Sequence, residues 1–170
     1  DGRLDALVVN SGSASVSVFA GNGDGTFGVG TDYATGAGPY KIVVADLNGD
    51  GRPDLASANR SAGTASVLLG NGDGTFGPRT DFATGPDPHW IVAADFNGDG
   101  RPDLAASNWG GATVSVLLNT GGGAFGAKTD HDAGPGAVSL VAGDFDGDGR
   151  ADVAVANDTV NGGVSILRGI

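Results

Sequence analysis

The sequence predicts an all-β protein, a β-propeller built from four-stranded antiparallel blades, of which this 170-residue chain holds about 3.5. Three observations favour this fold class. A pattern recurs every 49 residues, each period contains four short β-type runs, and no window has the spacing of an amphipathic helix. Four strands in about 40–50 residues is the length of a propeller blade, whereas the coils of a β-solenoid are typically shorter.

The repeat is clearest in an acidic nonapeptide. It begins at Asp46, Asp95 and Asp144, each 49 residues after the last, and the segment from Asp1 to Asp5 fits the second half of an earlier copy. The same register predicts a single propeller segment with a partial blade at 1–36, blades at 37–85 and 86–134, and a partial blade at 135–170. Further residues keep this spacing: Phe27, Phe76 and Phe125; Asn10, Asn59, Asn108 and Asn157.

Within each unit the β-type runs are short and separated by Gly or Pro. The predicted strands are 42–47, 54–59, 65–70 and 79–84 in the second unit, and 91–96, 103–108, 113–118 and 127–132 in the third. The first strand of each unit is almost wholly apolar and rich in small residues, so we expect it to be buried on both faces. With three strands in each terminal unit, the chain should contain fourteen strands.

Composition excludes several classes of protein. The 33 Gly and 7 Pro indicate many turns, but 39% hydrophobic residues suffice for a core. A net charge of −11 argues against nucleic-acid binding. No apolar run approaches the roughly 18 residues of a membrane span. Absent Cys excludes disulfides and thiolate metal sites. Because neither an initiator Met nor a signal peptide is present, we expect a processed or trimmed chain.

The acidic residues are concentrated in the nonapeptides. All 20 are Asp, and twelve lie in these loops, where like charges repel unless a cation separates them. Side-chain oxygens at positions one, three, five and nine, with the backbone carbonyl at position seven, favour Ca²⁺ over zinc, copper or magnesium. We therefore predict about three Ca²⁺ ions per chain, held by Asp46, Asn48, Asp50, Arg52 and Asp54; by Asp95, Asn97, Asp99, Arg101 and Asp103; and by Asp144, Asp146, Asp148, Arg150 and Asp152.

Two other interpretations fit the loops less well. An EF-hand needs a Glu at position 12 and flanking helices, but Ser57, Ala106 or Val155 stands there and the flanks are β-type. Metal-free Asp-Gly turns do not require acids at four fixed positions. Asp1 and Asp5 form at most half a site, and whether they bind an ion stays open. The second Gly-Asp segments, 21–25 and 70–74, and their degenerate copy at 119–123 are predicted to be hairpin turns.

Phe-Gly pairs, Gly-Pro-containing segments and the nonapeptide D-x-[DN]-x-D-G-x-x-D recur together over the whole chain. This combination resembles the FG-GAP or VCBS-type repeat family, which includes the integrin α-subunit head and many bacterial surface proteins. The Phe27-Gly28, Phe76-Gly77 and Phe125-Gly126 pairs match the family's Phe-Gly. The resemblance implies propeller blades, seven in a complete integrin-like propeller, with calcium in the loop between the first and second strands.

Residues outside the loops give little indication of catalysis. His89 and His131 have no repeat-supported catalytic partner, so we expect no enzyme and two exposed strand-end residues. Trp90 and Trp109 interrupt the repeat. Each either packs a blade edge or contacts a ligand, and Trp109, in a Gly-rich turn, is the better ligand-binding candidate. The recurring Asn residues are expected to be structural.

Two function classes remain open. The first is an extracellular or cell-surface adhesion or protein-interaction module stiffened by calcium. The second is a carbohydrate-binding propeller, or the accessory propeller of a polysaccharide-degrading enzyme. A lectin should repeat its aromatic contacts in each blade, and these Trp residues do not repeat, which favours the first class. Because an open fan leaves blade faces exposed, we expect a segment of a larger protein or, alternatively, self-association.

Overall fold

The computed structural model describes residues 2–169, which form an all-β fold with one short 3₁₀ turn at Trp109–Gly111. The predicted fold class is confirmed. The strands are β1 (Ala6–Asn10), β2 (Ser15–Phe19), β3 (Thr31–Ala34), β4 (Pro39–Ala45), β5 (Asp54–Asn59), β6 (Thr64–Leu68), β7 (Thr80–Ala83), β8 (Pro88–Ala94), β9 (Asp103–Asn108), β10 (Thr113–Leu117), β11 (Asn119–Gly121), β12 (Ala124–Phe125), β13 (Thr129–Asp132), β14 (Ala137–Gly143), β15 (Asp152–Asn157) and β16 (Val164–Leu167).

Four antiparallel blade sheets follow one another along the chain. Their strand orders are β1-β2-β3, β4-β5-β6-β7, β8-β9-β10-β13 and β14-β15-β16. These sheets contain the fourteen predicted strands in the predicted distribution. The β11-β12 hairpin lies at the hairpin turn predicted for 119–123, although its two short strands were not predicted; the earlier units have the isolated bridges Gly21–Phe27 and Gly70–Phe76 at this position.

The sheets pack face to face through apolar side chains. Val16, Leu55 and Leu68 belong to the cluster that joins the first and second sheets. The second and third sheets share a cluster that includes Leu47, Ile91, Leu104 and Phe125. Between the third and fourth sheets the cluster includes Phe96, Val114, Leu140 and Val153. Each sheet therefore depends on its neighbours for much of its buried surface, as expected for a repeat architecture.

The innermost strands are less buried than predicted. Strands β4, β8 and β14 lie side by side, and each pairs by hydrogen bonds with only one other strand. Val44 on β4 is 48% exposed and Val141 on β14 is 57% exposed. The expectation that the first strand of each unit is buried on both faces is therefore wrong. In the two four-stranded sheets the second strand is the buried one, because β5 and β9 are covered at every position by strands on both sides and by neighbouring sheets.

A recurring polar relay crosses three strands of each of the first three sheets. In the second sheet, Asn59 Nδ2 donates to Ser66 Oγ at 2.8 Å, and the Ser66 hydroxyl donates to Asp81 Oδ1 at 2.6 Å. The structural role predicted for the repeated Asn is confirmed, although the bonds reach across strands. Equivalent relays join Asn10, Ser17 and Asp32, and Asn108, Ser115 and Asp130.

Candidate functional site

The three Asp loops connect the first and second strands of their sheets, at 46–53, 95–102 and 144–151. Position one organises each loop. The Asp46 carboxylate accepts hydrogen bonds from the backbone amides of Gly49 at 2.8 Å, Asp50 at 3.1 Å and Gly51 at 2.8 Å. Gly49 and Gly51 have φ of 81° and 80°, a conformation that costs glycine little, so the chain can curl around this carboxylate. Asp95 and Asp144 accept the equivalent bonds.

Position nine connects the loop to the rest of the blade. Asp54 is fully buried, and its Oδ2 accepts hydrogen bonds from the amides of Leu47 at 2.8 Å and Asn48 at 3.2 Å. Its Oδ1 accepts one from the Gly70 amide at 2.7 Å, at the end of the third strand. Asp103 and Asp152 make corresponding contacts and are equally buried. The sequence predicted that these residues bind a metal ion but did not predict their hydrogen bonds between loop and sheet.

Position five is paired with the arginine at position seven of the same loop. Nη2 of Arg52 lies 2.6 Å from Oδ2 of Asp50, and the corresponding distance from Arg150 to Asp148 is 2.7 Å. Hydrogen bonding to this arginine is the main cause that lowers the pKa of Asp50 and of Asp148. Arg101 pairs with Asp99 in the same way and also donates to the Asn119 carbonyl. The sequence predicted a role only for the backbone carbonyl oxygens of these arginines, as calcium ligands, and did not predict the ion pairs of their side chains.

The third loop brings carboxylates together most closely. Asp144, Asp146 and Asp152 each place a carboxylate oxygen within 4.8 Å of the others. Calcium binds oxygen at about 2.3–2.6 Å, so one ion could contact oxygens separated by this distance. The donor set therefore fits a hard cation. In the first two loops Asn48 and Asn97 stand at position three, which supplies an amide oxygen but one negative charge fewer.

Burial and mutual repulsion disfavour the ionised form of a carboxylate in these loops. The pKa of Asp103 is raised, chiefly because the group is buried, and the neighbouring carboxylates of Asp99 and Asp95 raise it further. Hydrogen bonds from the amides of Asn119 and Phe96 act in the opposite direction. A cation in the loop would favour the ionised form of this carboxylate.

The other acidic positions have different surroundings. In the 70–74 segment, Asp73 Oδ1 accepts hydrogen bonds from the amide and hydroxyl of Thr75, as Asp24 does from Thr26, so both segments close hairpin turns as predicted. Asp5 Oδ1 accepts a bond from the Gly21 amide, which is the position-nine contact of the first unit. Asp1 lies outside the described residues.

The two tryptophans, predicted either to pack a blade edge or to contact a ligand, lie in different surroundings. Trp90 is half-buried against the cluster between the third and fourth sheets, and Lys41 Nζ lies 4.2 Å from the centroid of a Trp90 ring. Trp109 begins the 3₁₀ turn, is 38% exposed, and stacks on His89 with ring centroids 5.4 Å apart. His89 is buried, so the prediction of an exposed strand-end residue is wrong for it: Tyr40 and Trp109 cover its ring.

Several residues of the site escaped sequence analysis. Asn119 is buried, and its Nδ2 donates to the carbonyls of Leu47 and Pro102, so it links the third sheet to the Asp loop of the second. Tyr40 and Arg60 were also overlooked. They occupy the repeat positions of His89 and Trp109, 49 residues earlier, and that spacing was available in the sequence.

The chain was compared with known proteins. The model of the FG-GAP-like repeat family matches residues 1–57, 46–106 and 95–155. No curated protein matches significantly. Within residues 2–169, no helix has the length and apolarity needed to cross a membrane.

Several solved structures share the fold. A lectin from Agrocybe aegerita, described as specifically recognising non-reducing terminal N-acetylglucosamine, is 30% identical with a TM-score of 0.62, and the match covers 98% of this chain and 49% of the lectin. BBS1N in complex with ARL6DN, at 13% identity, has a TM-score of 0.64, with 98% and 53% of the two chains covered. Streptogramin B lyase, at 17% identity, has a TM-score of 0.58, with 98% and 52% covered.

The last two similarities concern the fold alone, and this chain spans about half the length of each of these three structures. The family match is broader, because its three overlapping segments extend from residue 1 to residue 155 in the register of the acidic loops. The chain therefore belongs to the FG-GAP-like repeat family.

Proposed function

We propose that this chain is a calcium-binding propeller segment that acts as an extracellular or cell-surface interaction module. The observation that supports it most strongly is the threefold recurrence of one oxygen-rich loop, in whose third copy three carboxylate oxygens lie within 4.8 Å of one another. A bound calcium ion would offset the repulsion between these carboxylates. The ligand in this role is a protein or a glycan, and the proposal includes no catalytic activity.

The loops are suited to stiffening the blades. Position one folds the loop through backbone amides, and position nine attaches it to the segment that follows the third strand. An ion held between these positions would bind the folded state more tightly than the unfolded chain, and would therefore raise the free energy of unfolding. Arg52 and its equivalents partly neutralise position five in the absence of an ion.

The proposed location follows from calcium supply. Loops of this kind fill where calcium is abundant, as it is outside cells, and the net charge of −11 gives no basic surface for nucleic acid. Because the chain spans about half the length of similar propellers, we propose that it works as part of a larger protein or as a self-associating unit.

Thermal unfolding with and without calcium tests the proposal. The chelated protein should melt at a lower temperature, and added calcium should restore the melting temperature, whereas magnesium at equal concentration should have a smaller effect. Asp144→Ala should reduce the response to calcium, and Asp158→Ala, an exposed substitution outside the loops, is the matched control. An identical melting temperature with chelator and with calcium would contradict calcium binding.

A second candidate function is glycan binding. It is favoured by the similarity over 98% of the chain to a lectin that recognises terminal N-acetylglucosamine. Screening a glycan array in calcium, with N-acetylglucosamine-terminated glycans included, separates this candidate from a purely protein-binding module. Binding to defined glycans supports it, and an array without signal contradicts it while leaving the calcium proposal intact.

A further inference from the structure

The end of the blades opposite the Asp loops carries a cluster of side chains that bridges the second and third sheets. The "aromatic platform" comprises Tyr40, Arg60, Asp87, His89 and Trp109. The His89 ring lies between Tyr40 and Trp109, with centroid distances of 5.1 Å and 5.4 Å. Tyr40 is 48% exposed, so two ring surfaces beside the buried imidazole remain accessible to solvent.

A charged pair bridges the two sheets at this point. Arg60 Nε lies 2.8 Å from Asp87 Oδ1, its Nη2 lies 3.4 Å from Oδ2, and its guanidinium is 5.2 Å from the centroid of the Tyr40 ring. The bond from Arg60 is the main cause that lowers the pKa of Asp87. Both members are partly exposed, which leaves hydrogen-bonding capacity at the edge of the aromatic surface.

The platform side chains differ from those at equivalent positions of the other units, although the backbone hydrogen bonds there are the same. The amides of Arg60, Trp109 and Asp158 donate to the carbonyls of Gly38, Asp87 and Gly136, respectively, in successive units. Gly38 and Gly136 have φ of 68° and 72°, whereas Asp87 adopts 55°, a conformation unfavourable for a residue with a Cβ. The fold therefore does not require an Asp at this position. Strained backbone that carries a functional group is typical of binding sites.

His89 supplies a second observation. Its side chain is only 10% exposed, and neither ring nitrogen has a hydrogen-bond partner among residues 2–169. Nε2 lies 3.4 Å from Asp87 Oδ1, without hydrogen-bond geometry. A buried polar group without a partner is costly and rare in a structure that serves stability alone. The two ring nitrogens of His89 are therefore buried beneath the platform without a hydrogen bond.

The charges restrict the ligand chemistry. A cationic ligand is disfavoured because Arg60 already lies over the Tyr40 ring, and an anion is disfavoured because Arg60 is paired with Asp87. A neutral molecule with an apolar face and hydroxyl groups at its edge fits better. A pyranose has this form: its C–H face packs on an aromatic ring, and its hydroxyls both donate to carboxylates and accept from guanidinium groups.

We propose that the aromatic platform binds one neutral pyranose residue, stacked on Trp109 and hydrogen-bonded by Arg60 and Asp87. This inference rests on the glycan-binding candidate function and is independent of the calcium sites, which lie at the other end of the blades. It predicts one sugar site in this chain, at the junction between the two four-stranded sheets. The fourth sheet has Val138 and Asp158 at the equivalent positions, so it lacks the platform side chains.

Calorimetric titration with methyl glycosides of glucose, galactose, mannose and N-acetylglucosamine tests the proposal. At least one should bind the calcium-loaded chain with one site per chain. Trp109→Ala and Arg60→Gln should each weaken that binding at least tenfold, whereas Asp158→Ala at the equivalent position in the fourth sheet should not change it. Circular dichroism and the melting temperature verify that each variant is folded, and calcium titration of the same samples reports separately on the Asp loops.

Binding lost in both platform variants and retained in Asp158→Ala supports the site. Binding unchanged in the platform variants overturns the location while leaving glycan binding intact. Absence of binding to all four glycosides by a chain that still binds calcium overturns the sugar assignment but not the proposed calcium function. Binding of a proline-rich peptide to Trp109 in place of any glycoside likewise overturns it, in favour of a protein partner.

Discussion

The two ends of the blades differ in how closely they follow the repeat. At the Asp-loop end, three loops make the same contacts with the same residue types at positions one, five, seven and nine, from the amides around Asp46, Asp95 and Asp144 to the buried position-nine carboxylates. At the other end, equivalent positions carry different residue types: Tyr40 in the second unit corresponds to His89 in the third, and Arg60 corresponds to Trp109. A feature that every blade needs recurs in every blade. A feature that serves one ligand needs to be present once, so the irregular end is where specificity should be sought.

The largest effect is expected at the regular end. Asp103→Ala leaves the buried amides of Phe96 and Asn119 without acceptors, and should lower the free energy of unfolding by about 2–5 kcal/mol. Urea unfolding in chelator isolates this structural contribution from any lost calcium. Asp158→Ala is the control and should unfold as the wild type does. If Asp103→Ala were equally stable in chelator, position nine would be a metal ligand only.

The next effect concerns the third loop. Asp146→Asn converts it to the composition of the first two, so its calcium affinity should fall by about tenfold, or about 1.4 kcal/mol. The reciprocal substitution, Asn48→Asp, should raise the affinity of the first loop. Competition with a chromophoric chelator measures both. Equal affinities in all variants would show that charge at position three does not govern binding.

A smaller effect is expected from pH at the irregular end. Burial is the main cause that holds the pKa of His89 below its usual 6.5. The unfolded chain therefore takes up the proton first as the pH falls, so the stabilisation is present above about pH 6.5 and lost below it. The melting temperature of the wild type should fall by a few degrees more than that of His89→Phe between about pH 7 and 5. Parallel pH profiles would contradict this role.

The smallest stability effect should come from Asp87→Gly. The substitution relieves the positive φ of 55° but removes the partner of Arg60, and these opposing changes should leave the free energy of unfolding within about 0.5–1 kcal/mol of the wild type. Thermal unfolding measures this, and titration of the same variant measures sugar binding. A large loss of stability would show that the pair is needed to hold the two sheets together.

The regular end was largely predictable from the sequence. A fixed period locates the loops, and the residue types at positions one to nine indicate the chemistry, because loop conformation depends on Gly and Asp near in sequence. Strand bounds were less accurate. β4 begins at Pro39, before the apolar run, because Pro39 and Lys41 pair with β5 around an irregularity in register. Nothing in the local pattern predicted that pairing.

The irregular end was not predictable in the same way. Arg60 and Asp87 are far apart in sequence and meet only because neighbouring blades stack, and the burial of His89 depends on rings from two blades. The exposure of β4 had the same origin: apolar composition indicated burial, but the position of the strand at the inner edge of its sheet determined it.

Calcium titration of the chelated chain, followed by calorimetry, tests the central claim most directly. We expect close to three ions bound per chain, one for each Asp loop, and close to two for Asp144→Ala. The platform variant Trp109→Ala should bind the same number as the wild type. Absence of calcium binding by the folded, chelated wild-type chain would contradict the proposal that the Asp loops are calcium sites.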